Sequence, residues 1–160
     1  MAARRHLCSM RFALLTLLLT FVASAASAQG LPAPARAYLG DWTVVDDETG
    51  EAQAVVRLTE AGGAVEGRIV RVLPTDEYPT PSFRCDDCEG EYRGADLREV
   101  RLVYGLEWDG ERLSGGRIVD VRNDRTYKVV MNLERADRLR VRGYLGIRAL
   151  GRTQIWQRAG

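Results

Sequence analysis

Histidine is almost missing from this chain. His6 is the sole one in 160 residues, lysine is reduced to Lys128, and cysteine to Cys8, Cys85 and Cys88. Without a second histidine there is no imidazole pair for a metal, and Ser-His or Cys-His catalysis has no base away from the extreme N-terminus. Charge of one sign is missing too: 23 basic against 22 acidic side chains give a net charge of +1. That balance excludes a polybasic nucleic-acid binder and an acidic-tail protein. Long apolar runs are scarce. Phe12 to Val22 is about 11 residues, too short to span a bilayer well.

What is there begins with that run. Arg4, Arg5 and Arg11 precede it, and Ala26-Ser27-Ala28 follows it as an A-x-A exit. This is the layout of a secretory signal peptide, residues 1–28, cut between Ala28 and Gln29. The expected location is periplasmic or secreted. No cysteine follows the run, so a lipid-attached N-terminus is not indicated. Loss of Arg4, Arg5 and Arg11 leaves 132 residues with 20 basic and 22 acidic side chains, a net charge of −2. His6 and Cys8 leave as well. The mature chain then holds no histidine, two cysteines and no membrane span.

Residues 29–39, with Pro32 and Pro34, read as a lead-in. Short strand-like runs follow: Trp42–Asp46, Glu51–Thr59, Ala64–Leu73, Leu97–Trp108, Arg112–Asp120, Arg125–Leu133, Arg138–Leu145 and Gly151–Arg158. Gly62-Gly63 and Asp109-Gly110 are hairpin turn signals. Tyr127, Val129, Met131 and Leu133 alternate with Lys128 and Asn132, the period of a half-buried strand. Val100, Leu102, Tyr104, Leu106 and Trp108 are expected on one face. Eight strands with short connections predict an all-β, antiparallel, up-and-down eight-stranded barrel over residues 40–160, with a sandwich as the alternative. Closure removes the sheet edges.

One connection is long. Pro74 to Asp96 holds three prolines, Cys85, Cys88 and six carboxylates before Asp96. Segments of that length are a tolerated excursion or a functional loop. In an oxidising compartment Cys85 and Cys88 read first as a disulfide that stiffens the loop locally. A redox dithiol is disfavoured by Asp86, Asp87 and Glu89, whose charge opposes a thiolate. Zinc would lack ligands. The acidic residues have hard oxygens for calcium but no EF-hand or repeat spacing, and solvated loop charge is the simpler reading. No catalytic residue, metal site or cofactor is assigned.

The mature aromatics are three Trp, six Tyr and Phe83. Buried tyrosines need partners for their hydroxyls. If Tyr104, Tyr127 and Tyr144 face inward with Trp108 and Met131, they line an amphipathic cavity. Arg142 shares a strand face with Tyr144 and would clamp an acidic head group. Leu139, Val141 and Leu145 sit opposite, so parity alone turns Arg142 outward and both orientations stay open.

Gly40-Asp41-Trp42 opens the first strand and Trp156-Gln157-Arg158 closes the last. This resembles the lipocalin arrangement, in which a G-x-W tryptophan lies beneath an arginine from the final strand. An indole face accepts a guanidinium, which makes the pairing physically sensible. The order of Gly67-Arg68-Ile69-Val70, Cys85 with Cys88, Gly115-Gly116-Arg117-Ile118, Val141-Arg142-Gly143-Tyr144-Leu145-Gly146 and Leu150-Gly151-Arg152-Thr153-Gln154 is similar to a narrower group, the domain of unknown function 2147 family of small secreted bacterial proteins. Val121 to Arg125 departs from the proline and glycine-lysine turn usual there. The resemblance implies a lipocalin-like barrel closed by Gly40, Trp42, Trp156 and Arg158, with no established reaction.

The first functional reading is therefore a barrel that binds a small apolar or amphipathic molecule, its mouth rimmed by the cysteine-clipped loop. The second is a filled barrel that engages an envelope protein. A carboxylate or dithiol enzyme is third. Nucleic acid is not an expected partner.

Overall fold

The computed structural model describes residues 30–160. The expected signal peptide, 1–28, lies outside the described residues. The hydrophobic alternation of the sequence becomes eight strands: β1 Gly40–Val45, β2 Ala52–Ala61, β3 Ala64–Val72, β4 Val103–Trp108, β5 Leu113–Asp120, β6 Arg125–Arg135, β7 Arg138–Tyr144 and β8 Arg152–Arg158. Each pairs antiparallel with the next, and β8 returns to β1 to close the barrel. Closure runs through Trp42 opposite Arg158, Thr43 opposite Gln157 and Val44 opposite Trp156. A short helix, α1 (Ala33–Arg36), precedes β1.

Side chains from alternate strand positions fill the interior. Trp42, Val56, Leu58, Val65, Val103, Leu106, Leu113, Val129, Met131, Leu139, Val141 and Trp156 form one buried cluster. Both ends are stoppered. Leu31, Ala35 and Tyr38 of the lead-in join the cluster from one end. Leu97 and Leu102, with half-buried Phe83 and Cys85, join it from the segment between β3 and β4.

Two strand expectations are corrected. The fourth strand begins at Val103, not Leu97. Leu97 and Leu102 are buried as part of the plug instead. Within β4, Gly105 takes φ +67° and interrupts the alternation, so Val103 and Leu106 are both buried. The positive φ is available to glycine at little cost. Tyr104 therefore leaves the face that Leu106 occupies. The Asp109-Gly110 turn is also longer than two residues. The Asp109 carboxylate accepts the N–H groups of Glu111 (3.0 Å) and Arg112 (2.9 Å), which stabilises a four-residue loop between Trp108 and Leu113.

The floor is organised around Trp42. Its indole N–H donates to the Tyr38 carbonyl at 2.8 Å, and the Arg158 guanidinium lies 4.0 Å from the ring centroid. The same guanidinium donates to the carbonyls of Leu39 (2.8 Å), Ala37 (2.8 Å) and Ala136 (3.0 Å). Gly40, at φ +113°, would bring a Cβ to 3.1 Å from Arg158 Nη1, so a side chain there would crowd the clamp. Trp42→Ala is expected to destabilise the fold by about 3–5 kcal/mol, as for other buried large aromatics. A urea or thermal melt unchanged from wild type would show that Trp42 is not the floor.

Candidate functional site

The segment from Leu73 to Leu102 folds back over the open end of the barrel. Its two limbs pair: Leu97 N–H donates to the Phe83 carbonyl (2.8 Å), Cys85 N–H to the Ala95 carbonyl (3.1 Å) and Gly94 N–H to the Cys85 carbonyl (2.7 Å). The Cys85–Cys88 disulfide closes the tip of one limb, with Cα atoms 5.4 Å apart, and Cys88 is wholly buried. The segment is tied to the barrel by Val119 N–H on the Leu102 carbonyl (2.8 Å) and Glu89 N–H on the Arg122 carbonyl (3.0 Å). Arg122 adds an ion pair to Glu77 at 3.4 Å and a contact with the Tyr78 ring at 4.9 Å. Arg98 stacks over Phe83 at 4.8 Å.

Part of the charge in this cap is paired locally. Asp86 pairs with Arg84 at 2.6 Å. The guanidinium of Arg98, together with its backbone N–H, holds the Asp96 carboxyl down at about 2. The Tyr92 hydroxyl is pushed up to about 12 by its hydrogen bond to Glu91 and by burial. Among the described residues, no group of three or more acidic, cysteine or histidine side chains is arranged to hold a metal ion.

The six candidate ligand residues do not converge on one cavity. Met131 is fully buried in the core. Trp108 packs against the core near the floor, edge-on to Tyr38 at 6.1 Å. Tyr127 is half-buried and lies opposite Ile118 on β5. Arg142 and Tyr144 alternate with the buried Leu139 and Val141, which sets them on the outer face. The Arg142 guanidinium donates to the carbonyls of Arg148 (2.8 Å) and Ala149 (2.9 Å) and to Thr153 Oγ1 (2.5 Å). Its donors hold the β7–β8 loop rather than pointing at a ligand.

Register does bring two of the six onto a shared row. Tyr104 pairs with Arg117, Arg117 with Lys128, and Lys128 with Tyr144, across four consecutive strands. Arg101 stacks over Tyr104 at 4.7 Å, and Arg148 lies 6.0 Å from the Tyr144 ring centroid. Gly115, Arg117, Lys128 and Tyr144 line a shallow hollow of about 330 Å³. A second hollow, about 270 Å³, lies at the opposite end among Arg135, Asp137, Arg138, Gln157 and Arg158. Arg117 and Lys128 are not among the ligand residues expected from the sequence, because only the strand register sets them between two tyrosines.

These features define a lipocalin-like barrel: eight antiparallel strands in sequence order, an N-terminal plug and an arginine over the first-strand tryptophan. Residues 40–158 match the family described as uncharacterized protein conserved in bacteria (DUF2147), and the chain belongs to that family. A solved structure titled "Protein HP1028 from the human pathogen Helicobacter pylori belongs to the lipocalin family" is similar, with 15% identity and a TM-score of 0.63. The match covers 76% of this chain and 82% of that one, and at this identity it speaks for the fold alone. No curated protein matches.

Two outcomes test the cap. The double change Cys85→Ser with Cys88→Ser is expected to cost on the order of 1–2 kcal/mol, because the closed ring is small. Collapse of the whole barrel in a denaturant titration would contradict a local clip. The depressed Asp96 pKa means its pairing with Arg98 is intact above the ordinary carboxylate range and is lost as the pH falls through about 2. An NMR titration of the Asp96 carboxyl is expected to show that low midpoint; a midpoint near 3.8 would show the pair absent in solution.

Proposed function

We propose that this chain is a binding module of the bacterial envelope that engages its partner through its outer surface, with the barrel as a rigid scaffold. The observation that carries this reading is the occupied interior. Trp42, Trp156, Leu58, Leu106, Leu113, Met131 and Leu139 are each under 2% exposed and pack where a carrier would hold its cargo. Plugs from Leu31, Ala35 and Tyr38 and from Leu97 and Leu102 complete the filling. The envelope location rests on the signal-peptide layout of residues 1–28. The lack of histidine in the mature chain favours binding over catalysis.

A second reading is favoured by one observation. The open end is closed by a loop and not by strands, so displacement of Phe83, Leu97 and Leu102 would expose the interior to a small apolar or amphipathic molecule. Native mass spectrometry of protein recovered from the periplasm of an expressing bacterium separates the two. The expected spectrum shows the mass of residues 29–160 alone. A reproducible added mass of one small molecule per chain, lost on denaturation, would overturn the surface reading in favour of the carrier.

A further inference from the structure

The most exposed large apolar side chains among the described residues lie close together on one loop. Leu145, Ile147 and Leu150 are 61%, 66% and 82% exposed, all between β7 and β8. Such clustering on a small protein marks an interaction surface. The loop is well held. Arg142 donates to its carbonyls at Arg148 and Ala149, and Leu150 N–H and Gly151 N–H close a turn on Ile147 and Arg148 (both 3.1 Å). The apolar side chains are therefore presented by a fixed backbone.

The stretch of chain that carries this loop supplies only cations, and the neighbouring acids of the β1–β2 loop, Asp46, Asp47 and Glu48, are taken up by Arg152. After Asp137 the sequence has six arginines and no acidic residue. Arg148 sits within the loop, and Tyr144, immediately before it, leads into the row through Lys128 and Arg117. Arg117, Lys128 and Arg148 have no ion-pair partner among the described residues. An apolar tip, flanking cations with flexible stems and tyrosines at the boundary match the layers of a membrane interface: acyl boundary, headgroup phosphate and the zone between.

We infer that the β7–β8 loop and the Arg117–Lys128–Tyr144 row form a docking surface for an anionic phospholipid bilayer. Leu145, Ile147 and Leu150 enter the headgroup region while Arg117, Lys128 and Arg148 meet lipid phosphates. The inference deepens the surface-module reading and rests on it. An acidic protein partner would satisfy the cations, but three exposed aliphatic side chains beside cations without ion pairs suit a layer with an acyl boundary beneath its phosphates better than an acidic protein face.

The test is co-sedimentation of residues 29–160, which contain every strand and both plugs, with vesicles of phosphatidylglycerol or phosphatidylcholine. Binding to phosphatidylglycerol is expected to exceed binding to phosphatidylcholine about tenfold or more at low ionic strength, and to weaken as salt rises. Ile147→Ser with Leu150→Ser is expected to lower binding about tenfold. Arg117→Gln with Lys128→Gln is expected to lower it similarly. The loop pair is solvent-exposed, so its thermal melt is expected to match wild type and to exclude misfolding as the cause. Equal binding to both vesicle types, or binding that both variants retain, would overturn the assignment. No sedimentation with phosphatidylglycerol at low salt would overturn it too, leaving a protein as the occupant of this face. An internal ligand would instead appear as added mass, whichever way the vesicles behave.

Discussion

The barrel depends on bringing β8 back to β1, and Arg158 is the group that makes this return specific. Backbone pairing between the two strands covers three register positions, from Trp42 to Val44. Arg158 adds a guanidinium that covers the Trp42 ring and reaches three carbonyls, from Ala37, Leu39 and Ala136. Those carbonyls belong to the lead-in and to the β6–β7 turn. One side chain thus ties the N-terminal plug, the first strand and a remote hairpin to the last strand. A lysine would keep the charge but not the planar fork of donors that this arrangement uses.

Closure at the floor has a counterpart at the other end, built from different physics. There the chain uses no named strand: the segment between β3 and β4 carries prolines and carboxylates, and its limbs pair only briefly, through the Arg84–Asp96 bridge. It contributes Leu97, Leu102 and Phe83 to the core and leaves its charges outside. The disulfide shapes only the tip of this cap; burial of the leucines and the ties to Val119 and Arg122 fasten it to the barrel. A lipocalin-like fold does not by itself imply a lipocalin-like cavity. Here the side chains that line the interior are large enough to fill it.

Much of the fold was legible in the sequence because it rests on local signals. Alternation in β6, the Gly62-Gly63 turn and the paired ends at Trp42 and Arg158 each act over a few residues or a recognisable motif. What was not legible depended on shifts in phase. Gly105 breaks the period of two in β4, so Tyr104 and Leu106, two apart in sequence, do not share a face. Leu97 to Leu102 has strand-like composition, yet its leucines are taken by the plug. The row from Tyr104 to Tyr144 joins residues from four strands. No spacing along the chain reveals it, since it exists only once every register is set. The proposed clamp at Arg142 failed to take shape for a related reason: the nearest acceptors to its guanidinium are carbonyls of the chain's own loop.

The distribution of arginine ties these points together. Lysine is nearly excluded, and arginine does several separate jobs. Arg158 and Arg142 satisfy backbone carbonyls. Arg57 is paired with Asp41 at 2.6 Å, and Arg152 reaches Asp46 (3.6 Å) and Glu48 (3.5 Å) on the β1–β2 side. Since the last 23 residues contain no acid, every ion pair there must be made to an earlier part of the chain. Arg138 and Arg140 achieve this through Glu134, and Arg152 through the β1–β2 loop. Arg148 has no ion-pair partner among the described residues and shares its loop with three exposed apolar side chains. A cation without an ion pair beside exposed apolar side chains on a held loop is a combination stability does not explain, and so the surface where binding is most naturally sought.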